Sequence, residues 1–138
     1  MKFADLHIHS RFSDSSLSCG EIFSQARSNN LDCISITDHD TLDFYFSSDA
    51  SRLPEEYSIE LIKGIEFSAQ YNDRELHLLG YFGNHPFGDK FLNILKKLKE
   101  DRYNRIIKMI GILSSLGIKI ELDEFRAFAG ESSLSRLH

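Results

Sequence analysis

The sequence predicts an α/β fold with parallel strands, laid out as a layer or as part of a barrel. Three observations predict it. Apolar, β-branched runs alternate with helical patterns in the order strand, helix, strand, helix, strand, strand, long helix. Polar residues collect where the apolar runs stop, which in parallel α/β folds is the end that binds ligands. The chain has 138 residues, 41% of them hydrophobic and 27% charged, enough for one domain with a core of its own.

The elements follow in order. Residues 2–8 read as a short strand. Ser18 and Glu21 have capping-box spacing and open a helix of about ten residues carrying Ile22, Phe23 and Ala26. Asn29 and Asn30 end it. LDCISITDH, residues 31–39, is β-branched and apolar and reads as a buried strand. Asp40 or Thr41 caps a second helix running to about Leu53, and Pro54 marks the break after it. YSIELIKGIEFSAQY (57–71) is a third strand, NDR a turn, ELHLLGYF (75–82) a fourth strand and GNHPFG a loop.

The strongest helical signal comes next, near residues 88–116. Phe91, Ile94, Leu95 and Leu98 repeat at i, i+3, i+4, i+7, and Ile106, Met109, Ile110 and Leu113 repeat the same spacing. This helix is expected to end near Gly117. IELDEFRAFAG reads as a short helix behind a capping acid, and ESSLSRLH as the start of another. The chain carries no internal repeat, low-complexity segment or linker-like stretch.

Composition excludes several classes. A net charge of −5 gives no bulk attraction for nucleic acid or an anionic membrane. Cys19 and Cys33 form no Cys-x-x-Cys pair, so neither a disulfide scaffold nor a cysteine zinc site is expected, and the compartment expected is the reducing cytoplasm. The start of the chain has no long apolar run of a signal peptide. No segment approaches the ~20 apolar residues of a membrane span.

Six histidines stand out in this composition. His7 and His9 are two apart on a strand, so both project to one face, about 7 Å apart at their origins. That spacing suits convergence on one ion or on two adjacent ones. Asp38, His39 and Asp40 lie where a buried strand stops, and such polar groups are costly when buried without partners. Glu66 stands near the end of the third apolar run and His77 within the fourth. Taken singly, each has a plainer reading. Asp14 would be a loop turn, Asp40 a helix cap, Glu66 a solvated edge residue and His77 a core histidine. Together, four successive strands each deliver an imidazole or a carboxylate, the donor set of zinc, manganese or iron. Several such groups can hold ions about 3.5–4 Å apart to activate water and clamp a phosphate ester. His85, in the loop, is read as a surface residue.

DLHIHS, SITDHD, GIEFS and HLLGY, in this order, resemble the PHP (polymerase and histidinol phosphatase) superfamily, over essentially the whole chain. Within it the chain looks most like the stand-alone phosphoesterases, which remove phosphate from nucleoside 3′,5′-bisphosphates or trim short RNA from its 5′ end. The resemblance implies a distorted seven-stranded (β/α) barrel with two or three divalent ions, Mn, Zn or Fe, at the strand ends. By motif position it implies His7, His9, Asp14, His39, Glu66 and His77 as metal ligands, with His7, His9, His39 and Glu66 carrying the catalytic centre. Asp38 and Asp40 would orient ligands or cap the following helix. Arg102 and Arg105, at i and i+3 on one helix face, and Arg136 and His138 in SRLH would meet the substrate phosphate. For Arg102 and Arg105 a solvated helix face, with lysines nearby, is the plainer reading.

The family pattern also includes a later His-Pro histidine and a Ser-Asp-x-His motif, and residues 86–138 supply neither. The expectation is therefore a single PHP-like domain, 1–138, incomplete at its C-terminus: about four barrel strands plus the long helix. Its open edge would be covered by self-association or by a second half. The function expected is hydrolysis of nucleotide or short-RNA phosphate esters by a metal-activated hydroxide. The alternatives are a non-catalytic metal- and phosphate-binding fragment and a polymerase-associated PHP domain.

Overall fold

The computed structural model describes residues 2–83 and 85–129. They form two compact units, Met1–Pro86 and Phe87–His138.

The first unit is built on a parallel sheet of β1 (Ala4–Ile8), β2 (Cys33–Ile36) and β3 (Glu60–Leu61), in that order. Every residue of β2 is buried. A strand covered on both faces cannot alternate, which is why its sequence reads as continuous apolar. β1 is offset by one residue along its length. Asp5 faces Ile34 and Ile8 faces Ile36, so three steps of β1 run against two of β2. Such a bulge bends a strand and re-aims the side chains beside it, here just where His7 and His9 emerge.

Helix α1 (Cys19–Ser28) starts as expected. Ser18 Oγ accepts the Glu21 N–H at 3.3 Å, and Glu21 Oε2 accepts the Ser18 N–H at 2.8 Å. It buries Cys19, Ile22, Phe23 and Ala26, one face at helical spacing. That face joins Ile34, Ile36, Phe44 and Leu53 in the core.

The segment after β2 departs from expectation. It makes two short helices, α2 (Asp43–Phe46) and α3 (Asp49–Tyr57). Neither Asp40 nor Thr41 is the N-cap of α2. That position is Leu42, without a side-chain cap, while Thr41 Oγ1 accepts the Asp43 N–H at 3.1 Å. Pro54 lies inside α3 and does not end it. A proline removes one N–H from the helix. The turn after it is closed by Ile59 N–H bonding Pro54 O at 3.1 Å, and Ser58, at φ +53°, stops the helix.

The predicted third strand is also two. β3 pairs in parallel with β2, the chain turns at Ile62, and β4 (Lys63–Tyr71) pairs antiparallel with β5 (Arg74–Phe82). The last pair of strands is thus a hairpin, not a continuation of the parallel sheet. Its two-residue turn, Asn72 and Asp73 at φ +47° and +60°, has the left-handed backbone that matches strand twist. Tyr45 pins the corner. Its hydroxyl lies 2.6 Å from Ile36 O and 3.2 Å from Ile62 O, and accepts the Gly64 N–H at 2.9 Å. Burial pushes the Tyr45 phenol up to about 12. Gly64 sits so close to β2 that a Cβ there would overlap Ser35 Oγ and lie 2.8 Å from Thr37 Cγ2.

The second unit holds α4 (Asp89–Ser115) and α5 (Leu122–Ala129). Gly117, at φ +85°, ends α4. The Ile118 N–H reaches Leu113 O and the Gly117 N–H reaches Ser114 O, both at 3.0 Å, the paired bonds of a Schellman cap. Among the described residues no helix is long and apolar enough to cross a membrane.

Candidate metal centre

β1 and the residue just after it bring His7 and His9 to the centre, and the loop beyond brings Asp14. The residues beyond β2 bring His39, β4 brings Glu66 and β5 brings His77. Two backbone bonds set His39 beside Glu66. The Glu66 N–H donates to Asp38 O at 3.3 Å, and the Asp40 N–H to Glu66 O at 2.9 Å. Asp40 takes a left-handed backbone, φ +54°, and its Oδ1 accepts the Ser68 N–H at 2.9 Å. Asp40 therefore ties the β2 end to β4. On β5, His77 faces Ser68, diagonal to Glu66 on the same face of the hairpin.

The side chains converge on Glu66, which is 3% exposed. Its Oε2 lies 3.0 Å from His7 Nε2, 2.9 Å from His9 Nε2 and 3.6 Å from His39 Nδ1, while Oε1 lies 3.0 Å from His77 Nδ1. His9 Nε2 and His7 Nε2 are 3.2 Å apart. Asp14 completes the ring, with Oδ1 3.4 Å from His9 Nδ1 and Oδ2 3.4 Å from His39 Nε2. His7 and His77, with side chains 47% and 43% exposed, flank the solvent side.

Protons alone satisfy this arrangement badly. Protonating both Nε2 atoms of His7 and His9 sets two N–H groups against each other. Leaving both bare sets two lone pairs against a carboxylate oxygen. Protonating only one pairs the two nitrogens but leaves the bare one facing Glu66 Oε2 at about 3 Å. His39 Nδ1 is buried and has no hydrogen-bond partner among the described residues. Buried polar atoms rarely go unpaired. A cation among these atoms relieves both the Nε2 clash and the orphaned His39 nitrogen, so the residues present fit a divalent ion. Three overlapping groups have donor atoms within 4.8 Å of one another: His7/His9/Glu66, His9/Asp14/His39 and His39/Glu66/His77.

The protonation states agree. Burial opposes the Glu66 charge, but the His7 hydrogen bond and the nearby His39, His7 and His9 outweigh it and hold the carboxyl below its ordinary range. Burial pushes the His39 imidazole down, more than Asp14 and Glu66 draw it up, so it favours the neutral form that coordinates metals.

Behind the ring, Asp38 is buried and accepts three bonds. Ser10 N–H donates to Oδ1 at 2.7 Å, Ser10 Oγ–H to Oδ2 at 2.6 Å and Ser13 Oγ–H to Oδ1 at 2.6 Å. Burial raises the Asp38 carboxyl, and the serine bonds pull against that rise.

The structure thus brings His7, His9, Asp14, His39, Glu66 and His77 together, with Asp38 and Asp40 directly behind. Arg102 and Arg105 lie on α4, in the second unit. Arg136 and His138 lie outside the described residues. His85 is exposed after β5. Sequence reasoning missed Ser10 and Ser13. The one signal for them was their position, adjoining His9 and Asp14.

The PHP domain family model matches residues 5–131. A 5′-3′ exoribonuclease of Haemophilus influenzae is 31% identical over 136 residues, covering 97% of this chain and 47% of that protein. A 3′,5′-nucleoside bisphosphate phosphatase of Chromobacterium violaceum is 29% identical over 114 residues, covering 83% and 39%. A structure from Bifidobacterium adolescentis, described as a metal-dependent phosphoesterase, superposes with a TM-score of 0.85 at 25% identity, over 98% of this chain and 47% of that one. An amidohydrolase from Chromobacterium violaceum, with bound sulfate and no metal, gives 0.81 at 26% identity, over 97% and 46%. The chain spans less than half the length of the curated relatives it matches.

Proposed function

The chain belongs to the PHP domain family, and on that premise we propose that it carries a divalent-metal centre for hydrolysing phosphate esters of nucleotides or short RNA. The observation that carries this reading is Glu66, a buried carboxylate facing four imidazoles, one with an orphaned nitrogen. Imidazole and carboxylate donors suit Mn, Zn or Fe. A neutral imidazole has one lone pair to give, so His9 and His39 would each serve one ion although each belongs to two groups. His7, His9 and Glu66 would hold one ion. Asp14, His39 and His77 would contribute to one or two others.

Bound divalent ions supply hydroxide near neutral pH and positive charge for the phosphate oxygens. The chain's own groups do the rest. Glu66, ionised and central, sets the spacing of the imidazoles. His7 and His77, on the solvent side, border the path by which a phosphate would enter. Asp38 and Asp40 hold the strand ends that carry the ligands. Arg102, Arg105, Arg136 and His138 are proposed as phosphate contacts on motif position, the three arginines also on the fork geometry of guanidinium. Two free cysteines, both buried, fit the cytoplasmic location we propose.

The test is elemental analysis of the purified protein, with hydrolysis of a nucleoside 3′,5′-bisphosphate and of short RNA under added Mn²⁺. Metal that disappears in His7→Ala and His39→Ala supports the reading. Unchanged metal content in both variants, with no hydrolysis under any metal, rejects it. The coverage of less than half of the relatives supports a second reading, a segment that binds metal and phosphate without turnover. Stoichiometric metal without hydrolysis would single that out.

A further inference from the structure

We propose that Ser13 is a positioning residue that fixes the tautomer of His9, with the proton on Nδ1 and the lone pair on Nε2. The inference deepens the metal-centre reading and rests on it for its purpose, since Nε2 is the nitrogen that faces His7 and Glu66.

The argument is a count of protons. Ser13 is 2% exposed and its Oγ has three neighbours: Asp38 Oδ1 at 2.6 Å, Asp14 Oδ1 at 3.3 Å and His9 Nδ1 at 3.4 Å. A hydroxyl has one proton and two lone pairs. The short contact to a buried carboxylate takes the proton, so Ser13 turns a lone pair toward His9. Asp38 is itself committed. Ser10 holds its other oxygen, and the Ser10 hydroxyl is oriented in turn by the Phe12 N–H at 3.2 Å. Both hydroxyls therefore donate into Asp38, Ser10 from the Phe12 side and Ser13 from the His9 side, and Ser13 is left as an acceptor at His9 Nδ1. Asp14 is the other acceptor near Nδ1, at 3.4 Å. Its second oxygen faces His39, and as a metal ligand Asp14 would turn its charge to the ion. Ser13 is the acceptor that stays with His9 when the site fills. Metal-bound histidines commonly have the other ring nitrogen held in this way.

The measurement is the long-range ¹H–¹⁵N spectrum of histidine-labelled, metal-free protein, which separates the two tautomers of His9. Wild type is expected to show the Nδ1–H form. Ser13→Ala is expected to bring in the Nε2–H form and to weaken Zn²⁺ or Mn²⁺ binding about 10- to 100-fold. Ser13→Thr, which keeps the hydroxyl, is expected to restore both. Asp14→Ala, which removes the other acceptor, is expected to leave the tautomer unchanged. An Nε2–H His9 in wild type overturns the proposal, and that result needs no variant to fold. So does a tautomer that survives Ser13→Ala and is lost in Asp14→Ala. Because the spectrum is taken without metal, the two readings can fail separately. An Nδ1–H His9 in a protein that binds no metal sinks the metal centre and leaves the Ser13 assignment standing.

Discussion

β2 and β5 each lead a histidine to Glu66, by opposite means. Every residue of β2 is buried, and the polar groups beyond it are bonded on several sides. No residue of β5 is buried. β5 keeps its place through the ladder to β4, from Lys63 opposite Phe82 to Tyr71 opposite Arg74, and through the Tyr81 hydroxyl, which donates to Leu6 O of β1 at 2.8 Å. A functional side chain can thus be positioned by burial, or by hydrogen-bonded register with little burial. On the buried arm, site changes and stability changes should be inseparable. On the hairpin arm they should come apart.

The largest break in that comparison is Asp38→Ala. It strands one backbone N–H and two hydroxyls in the core, a loss of about 3–5 kcal/mol at 1–3 kcal/mol per unsatisfied group with some relaxation. Chemical denaturation measures it, and a loss under about 1 kcal/mol would mean that the buried arm is not held by Asp38. Gly64→Ala comes next. The added methyl meets Ser35 of the buried strand and Thr37 just beyond it, and overpacking of this kind costs about 1–3 kcal/mol. A neutral result would show that β2 and β4 can move apart.

A third effect depends on pH. His39 binds its proton more weakly folded than unfolded, chiefly because it is buried. The unfolded chain therefore takes up protons first as pH falls through the ordinary histidine value of ~6.5, and the metal-free protein loses stability from there downward. His39→Gln should flatten that part of the stability profile, and an unaltered slope would place its origin elsewhere. The smallest effect is His77→Ala. Its side chain is 43% exposed, so it should change stability by no more than about 1 kcal/mol while lowering metal content. Equal losses of stability from His77→Ala and Asp38→Ala would erase the distinction between the two arms.

Much of this was legible in the sequence, because the legible features are local. The Ser18/Glu21 box, the Gly117 stop and the turn after Tyr71 are each set by a few neighbouring residues, and all three appear where expected. His7, His9, His39, Glu66 and His77 stood out because each lies in or at the end of an apolar run, whereas Asp14, in a polar loop, was nominated only by its position in the family motif. The split of the third strand at Ile62 was not. Alternation along a strand does not encode which neighbour it pairs with, or in which direction, and the corner depends on Tyr45, a residue far back in the chain. Pro54 misled because helix-breaking is a tendency that a short helix, closed beyond the proline, can absorb. Ser10 and Ser13 were silent because serine suits a loop as well as a buried network, and only the position of Asp38 distinguishes them.

The offset in β1 has a consequence for tolerance to change. Ala4 and Asp5 keep one alignment with β2, Ile8 keeps another, and the surplus residue lies between them. The strand works as an expansion joint. Removing one residue there, Leu6, would take up the slack and still leave Ile8 opposite Ile36, so His9 would keep its address while His7 lost its own. The same deletion on the far side of Ile8 has no slack to consume and would move His9 itself.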